Sequence, residues 1–263
     1  MANKKEKMKE TFPIIVLEKQ IRKRFNKACK DYGLLEDGDK ILVGLSGGKD
    51  SLMLLRLLAI QSRIYKPSIS VIAAHIKMSN IPYVADNSFL SNFCKELGVE
   101  LITVETSFDA STDTRKSPCF LCSWNRRKML FTAAQENGCN KIALGHNMDD
   151  FIETMLMNIT FQGAFSAMAP MMQMRKFPVS IIRPLCMVNE EDIAQYAQLA
   201  GYPPQIKNCP YENDSNRKQM KELLLHLEKL NPEARYNLWG SMSNIQSELL
   251  PPKVKNININ KNE

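Results

Sequence analysis

A chain of 263 residues, 44% hydrophobic and 24% charged, has the make-up of a folded globular protein, large enough for one sizeable domain or two small ones. No apolar run nears the roughly 18 residues of a membrane span, and the basic start MANKKEKMKE leads into no signal-peptide core, so a cytoplasmic protein without a membrane partner is expected. The net charge of +7 suits a polyanionic partner, whose counterions would be released on binding, or simply keeps an enzyme soluble.

The first ten residues are lysine-rich and are expected to be mobile. From Ile14 to about Tyr32, the residues Ile14, Leu17, Ile21, Phe25 and Cys29 recur at spacings of three and four. That is the mark of an amphipathic helix, here with Lys19, Arg22, Lys23, Arg24 and Lys27 on its outer face. β-rich runs then alternate with helical ones. Strands are predicted at Lys40 to Leu45, Ile69 to Ile76, Val99 to Glu105, Asn140 to His146 and Val179 to Leu185. Helices are predicted between and after them, at 51–61, 83–97, 124–138, 149–163 and 189–201. This alternation predicts a doubly wound, mostly parallel five-stranded α/β sheet with helices on both faces. Beyond Gly201 a loop-like stretch leads to a helix at 218–234, and the tail from Pro251 has too little apolar content to pack.

In such a sheet, ligands bind beyond the carboxyl ends of the strands. The segment Ser46-Gly47-Gly48-Lys49-Asp50-Ser51 lies there, between the first strand and its helix. Its glycines let backbone N–H groups surround an anion, and the helix N-terminus adds a partial positive charge. It is not a Walker loop, since Lys49 is followed by aspartate and the required first glycine is Val43; nor is it the dinucleotide fingerprint. A glycine-rich turn in which Asp50 or Ser51 only caps the helix is the plain alternative.

The segment resembles the S-G-G-x-D-S pyrophosphate loop of the N-type ATP pyrophosphatases, which split ATP between its α- and β-phosphates and adenylate a substrate oxygen. The resemblance implies that Ser46, Gly47, Gly48, Lys49, Asp50 and Ser51 bind ATP, with Lys49 facing the anion and Asp50 near Mg²⁺ or serving as a cap. It also implies that His75 lies near the adenosine. The segment Gly145-His146-Asn147-Met148-Asp149-Asp150 looks like the G-H-x-x-D-D stretch of the tRNA-modifying branch. Gly145 and His146 are then ATP-site residues, although His146 reads equally as a structural histidine. Asp149 and Asp150 hold Mg²⁺ or cap the next helix, and with Lys49 and Asp50 they form the expected catalytic set. Arg183, in Ile-Ile-Arg-Pro-Leu, matches a recurring family segment in which arginine faces nucleic acid or phosphate.

Seven cysteines, of which only Cys119 and Cys122 lie close together, argue for metal or redox chemistry at that pair rather than a disulfide framework. Both are placed at the start of a helix, where thiol pKa falls. Cys209 sits in a polar, loop-like setting, whereas Cys29, Cys94, Cys139 and Cys186 fall where apolar packing is expected. Three thiolates, Cys119, Cys122 and Cys209, suit a [4Fe–4S] cluster with one iron open.

The whole combination, from about Ile14 to Arg217, resembles the tRNA 2-thiocytidine synthesis proteins. The resemblance implies adenylation of C2 of a cytidine in the anticodon loop and its thiolation through a cluster on those three cysteines, with a sulfur donor such as a cysteine desulfurase and a homodimer. Arg22, Lys23, Arg126, Arg127 and Lys128 are the expected tRNA contacts beside Arg183. One departure stands out: a single cysteine in Asn-Cys-Pro-Tyr is closer to the proteins that thiolate a tRNA uridine. Lysidine synthetase shares the loop but gives no reason for the cysteines, and a non-catalytic binding module gives none for Asp50, Asp149 and Asp150. The expected layout is a basic tail and helix over 1–35, the ATP pyrophosphatase domain over 36–215 with its Cys-x-x-Cys insert, and a C-terminal helix with a disordered tail over 216–263.

Overall fold

The computed structural model describes residues 2–80, 83–84, 86–109, 111, 117–175, 177–204, 206–207 and 216–250. Along these the elements run α1 (Ala2–Asp31), β1 (Lys40–Gly44), α2 (Lys49–Gln61), β2 (Ser70–Met78), β3 (Tyr83–Val84), α3 (Asn87–Leu97) and β4 (Glu100–Thr106). There follow α4 (Pro118–Glu136), β5 (Lys141–Ala143), α5 (Met148–Gln162), β6 (Met171–Gln173), β7 (Ser180–Ile182), α6 (Glu190–Leu199), β8 (Ile206–Lys207), α7 (Asn216–Leu230) and α8 (Ala234–Ser241).

All five predicted strands are found, in the order β4-β2-β1-β5-β7, and each pairs in parallel with its neighbours. Strand β6 extends this sheet at the β7 edge and runs antiparallel. Sequence could not announce β6. Its three residues are all exposed, so there is no alternation of apolar and polar positions, and it pairs on one side only. A separate two-stranded ladder, β3 with β8, occupies the start of the predicted 83–97 helix. That helix begins instead at Asn87, where the Asp86 side chain accepts from the Phe89 N–H as a cap.

Strand β1 sorts the layers. Ile41 and Val43 face the core formed with α1, α2, α3 and α6, while Leu42 faces the core under α4. Helix α2 is apolar nearly all round because it lies between the sheet and α6, with Leu52, Leu54, Leu55, Leu57 and Leu58 at 1% exposure or less. Each such leucine contributes about 1.5–3 kcal/mol of burial. The predicted N-terminal helix docks Leu17, Ile21 and Phe25 into the same core. It also continues back to Ala2, through the lysine-rich stretch expected to be mobile, where Ala, Met, Lys and Glu are good helix formers. Helix α5 joins α7 and α8 to the fold through Phe151, Ile152, Leu224 and Trp239. The predicted 218–234 helix is two helices, broken near Asn231-Pro232, since proline lacks the N–H that would continue the first.

Candidate active site

Strands β1 and β5 end together beside the middle of β2: Val43 is level with both Ala73 and Ala143, and β2 runs on to Met78. From β1 the chain turns to β2 on one side, and the sheet later resumes with β5 on the other. The crevice at that reversal is the expected ligand position in an open α/β sheet, and a cleft of about 330 Å³ lies there. Its floor is Ser46, Gly48, Asp50 and Ser51, its apolar walls include Ala74, Ile76, Leu130 and Leu144, and Asp150, His75, His146 and Arg126 also line it.

The glycine-rich loop is built for an anion. Gly47 has φ +86, in the left-handed region that favours glycine. Ser51 Oγ donates to the Gly48 carbonyl at 2.9 Å and accepts from the Ser46 N–H at 3.2 Å, which closes the loop on itself. Gly48 precedes α2 in an extended conformation, and among the described residues no side-chain cap bond is made at this helix start. Asp50 bonds instead to Asn147 and Lys49, and Ser51 within the loop, so the first N–H groups of α2 are open to a ligand. Gly145 is required for the close approach of the β5 exit. A Cβ there would lie 3.0 Å from the Asp50 carbonyl carbon and 3.0 Å from the Ser51 nitrogen, both backbone atoms.

The loop carboxylate has an explanation in these contacts. Asp50 Oδ1 accepts from Asn147 Nδ2 at 2.9 Å, and Oδ2 pairs with Lys49 Nζ at 3.0 Å. Asp50 thus ties the loop to the β5 exit and holds its own lysine. Lys49 also reaches Glu190 Oε1 at 3.0 Å. Burial pulls the Lys49 ammonium down, but the Asp50 and Glu190 carboxylates outweigh it, and the pKa is raised.

The two adjacent aspartates separate. Asp150 lines the cleft and shares a capping box with Asn147 at the start of α5. Burial raises its pKa, aided by the nearby Asp50 and Glu190 charges and opposed by the Asn147 N–H and Arg217. Asp149 does not line the cleft; it is buried, ion-paired with Arg235, and accepts from the Glu190 N–H at 2.8 Å. It caps a helix, though α6 rather than the one that follows it.

Burial lowers the pKa of both cleft histidines. His75 is buried, with Nδ1 bonded to the Leu45 carbonyl at 2.7 Å, so Nδ1 carries the proton; burial lowers its pKa. His146 Nδ1 accepts from Arg183 Nε at 3.2 Å, which places its proton on Nε2. Burial first, then the charges of Arg183, Arg217 and Arg127, bring His146 down to about 4. Arg183 itself is only 8% exposed, bonded to His146 and to the Ala169 carbonyl, so it orients a cleft histidine.

Ser117 caps α4 and Pro118 opens it, which puts Cys119 and Cys122 in its first turn, Cys119 exposed and Cys122 packed near Met78, Phe108 and Leu121. One turn on, Arg126 enters the cleft. Cys209 lies outside the described residues, as does the tail from Pro251. Among the described residues no group of three His, Cys, Asp or Glu side chains is placed to hold a metal ion, and no helix is long and apolar enough to cross a membrane. Burial pushes Cys29 and Cys186 up to about 12 and Cys94 to about 11, and raises Cys139, so these four thiols are inert packing groups as expected.

Residues 17–222 match the family model described as the PP-loop domain. The tRNA-cytidine(32) 2-sulfurtransferase of Geotalea daltonii is 39% identical over 91% of this chain and 97% of its own length. That of Geobacter sulfurreducens is 35% identical over 88% and 92%. The chain belongs to the tRNA-cytidine(32) 2-sulfurtransferase family of PP-loop proteins. Among solved structures, the U34-tRNA thiolase NcsA of Methanococcus maripaludis, with its [4Fe–4S] cluster, superposes with a TM-score of 0.70 at 27% identity, covering 86% of this chain and 78% of that one.

Set in the PP-loop family frame, the loop, Asp150, both histidines and Arg126 converge on one cleft. Arg127 and Lys128 are exposed beside it on α4, Lys128 over the Trp124 ring, whereas Arg22 and Lys23 are exposed on α1, outside the cleft lining. Sequence reasoning missed Asn147, Glu190, Glu153, Arg217 and Lys221. Asn147 had a signal, the N-x-x-D capping box of Asn147 and Asp150. The others read as ordinary helix-surface charges, because nothing local says that α6 and α7 meet the loop.

Proposed function

We propose that this chain is an ATP-dependent tRNA thiolase that adenylates the C2 oxygen of a cytidine, at position 32 in the anticodon loop, and replaces that oxygen with sulfur to give 2-thiocytidine. The observation that carries the reading is convergence on one cleft: an uncapped helix N-terminus, two carboxylates, and α4, the helix that starts with the paired cysteines. The activity named for relatives at up to 39% identity agrees with it.

A ring C2 carbonyl is a poor electrophile. Its oxygen first attacks the α-phosphorus of ATP, and pyrophosphate leaves. The N–H groups at the start of α2, the Ser46 and Ser51 hydroxyls and the Lys49 ammonium receive the charge that builds on the leaving group. His75, with Nδ1 as donor to Leu45, keeps Nε2 as an acceptor for the adenosine. Sulfide then adds at C2 and AMP departs with the former carbonyl oxygen. ATP, cytidine and HS⁻ thus become 2-thiocytidine, AMP and pyrophosphate, the sulfide proton ending on pyrophosphate.

Asp50 and Asp150 would hold Mg²⁺. They fit it: both line the cleft, and Mg²⁺ is commonly bound by one or two carboxylates together with substrate phosphates. When bound, the ion offsets charge on the departing pyrophosphate. Cys119, Cys122 and Cys209 would hold the cluster. The first two fit, one helical turn apart at the surface beside the cleft. Strand β8 supports the third: it ends two residues before Cys209 and pairs with β3, just beyond the β2 end whose Met78 packs near Cys122. When bound, a cluster on three thiolates supplies an iron with an open position for incoming sulfur.

Arg126, Arg127 and Lys128 beside the cleft, with Arg22 and Lys23 on α1, receive the tRNA backbone; sulfur comes from a donor such as a cysteine desulfurase, and the protein works as a cytoplasmic homodimer. Anaerobically purified protein given ATP, sulfide and unmodified tRNA should yield 2-thiocytidine in nucleoside mass spectrometry. One observation favours a second reading, the superposition on a U34 thiolase. Thiouridine as the product would select that reading, and lysine attached to cytidine would overturn both.

A further inference from the structure

Helix α6 opens with Glu190, Glu191 and Asp192, a placement that favours the helix dipole. Asp192 pairs with Arg24 of α1, an ordinary link between packed helices. Glu190 is different. Its carboxylate is about a quarter exposed and its two oxygens are divided between two lysines from different elements: Oε1 takes Lys49 Nζ at 3.0 Å, and Oε2 takes Lys221 Nζ, from α7, at 2.5 Å. Its backbone is pinned as well, the N–H donating to Asp149, which Arg235 of α8 holds in turn. A first-turn glutamate serving only the dipole needs none of these side-chain bonds.

We infer that Glu190 is a positioning residue for the loop lysine: its carboxylate holds the Lys49 ammonium in reserve beside the anion site, and Lys221 sets how firmly it does so. This rests on the reading that ATP binds in the cleft. Lys49 can donate three hydrogen bonds, and here one goes to Asp50 and one to Glu190. Asp50 belongs to the loop and moves with it. Glu190 belongs to another helix, so an incoming phosphate draws the ammonium against the Glu190 bond. Lys221, half-exposed on α7, weakens the hold by sharing the carboxylate. The carboxylate, tied to the loop through the same ammonium, also repels an incoming phosphate. Glu190 therefore acts on ground-state ATP affinity, and its removal should change KM and leave kcat in place.

The test is ATP-dependent pyrophosphate release by the anaerobically purified holoenzyme with saturating tRNA and sulfide, for wild type, Glu190→Gln, Lys221→Met, the double variant and Lys49→Met. Glu190→Gln should lower KM for ATP about three- to tenfold with kcat changed less than twofold. Lys221→Met should raise KM about two- to fivefold, because Glu190 then turns wholly to Lys49. The double variant should match Glu190→Gln alone, since Lys221 acts only through Glu190. Glu190→Gln is isosteric and Lys221 is half-exposed, so both should melt near the wild-type temperature. A KM that rises in Glu190→Gln, or additive effects in the double variant, overturns the inference and leaves a structural salt bridge. Absence of saturable ATP dependence in wild type, with Lys49→Met no different, overturns the ATP reading and this inference with it.

Discussion

Helix α2 brings its N-terminal turn to the cleft and α4 brings Arg126, one turn past its cysteines, yet the two are built in opposite ways. Eight of the 13 residues of α2 are buried, starting from Ser51 in its first turn. Of the 19 residues of α4 only Phe131, Ala133 and Ala134 are buried, all far from the cysteines, and Phe120 and Trp124 stand about half exposed near its start. The anion loop is thus a piece of the core that happens to open at a strand end. The cysteine turn is a surface element at the mouth. The difference fits the tasks proposed for them: a phosphate site needs fixed N–H groups, while a sulfur-delivery site has to admit a macromolecule.

If that contrast is right, damage should fall on different observables. The largest effect is expected at the surface element. Cys119→Ser or Cys122→Ser should abolish 2-thiocytidine formation, at least about 100-fold, while the melting temperature and ATP binding stay near wild type; nucleoside mass spectrometry, thermal unfolding and titration calorimetry read the three separately. A Cys variant that unfolds the domain would break the comparison.

In the buried region the first loss should be stability. Asp149→Ala takes from Arg235, whose side chain is 12% exposed, one of its two carboxylate partners, Glu228 remaining, and uncaps Glu190. The loss should be below the about 3–5 kcal/mol of a buried pair broken outright, to be seen in urea unfolding.

Glu153, one turn after Asp149 and buried, gives a pH signature of similar origin. Burial, reinforced by Asp150 and Glu190 and opposed by Arg217 and Lys221, raises its carboxyl from 4.5 to about 7. The folded state therefore keeps this proton more tightly than the unfolded one. Relative to Glu153→Gln, wild-type stability should be intact below pH 4.5 and fall by on the order of 3 kcal/mol as pH rises to 7. His146, with its depressed pKa, contributes the opposite slope between about pH 4 and 6.5, but in both proteins, so the difference curve isolates Glu153. A flat difference would remove Glu153 from the buried charge cluster.

The smallest effect should come from exposed charge at the mouth. Arg127→Ala should weaken tRNA binding a few-fold and reduce the slope of log K against log salt by about 1. The same substitution at Arg22, on α1, compares a site outside the cleft lining. An unchanged slope for Arg127 would move the RNA track away from α4.

Much of this was legible in the chain because the signals are local. The alternation of β-rich runs with helical ones specified the five parallel strands, and Ser46 to Ser51 after a strand and before a helix specified an anion loop. Cys119 and Cys122 were recognisable because, of seven cysteines, only they lie within three residues of each other. Where the reading strayed, the deciding partner was distant in sequence. The three-residue β6 exists through pairing with β7. Asp149 and Asp150, identical neighbours, were separated by which helix each one met: Arg235 and the α6 N-terminus for one, the cleft for the other.

The opposition between phosphate and the Asp50 carboxylate had the same resolution. Composition and spacing by themselves determined the sheet, the loop and the chemistry of the donors. Only the tertiary structure decided that Asp50 binds Asn147 and Lys49 and that Glu190 is shared by Lys49 and Lys221, because hydrogen bonds between side chains 97 and 141 residues apart exist only once the strands have set their ends side by side.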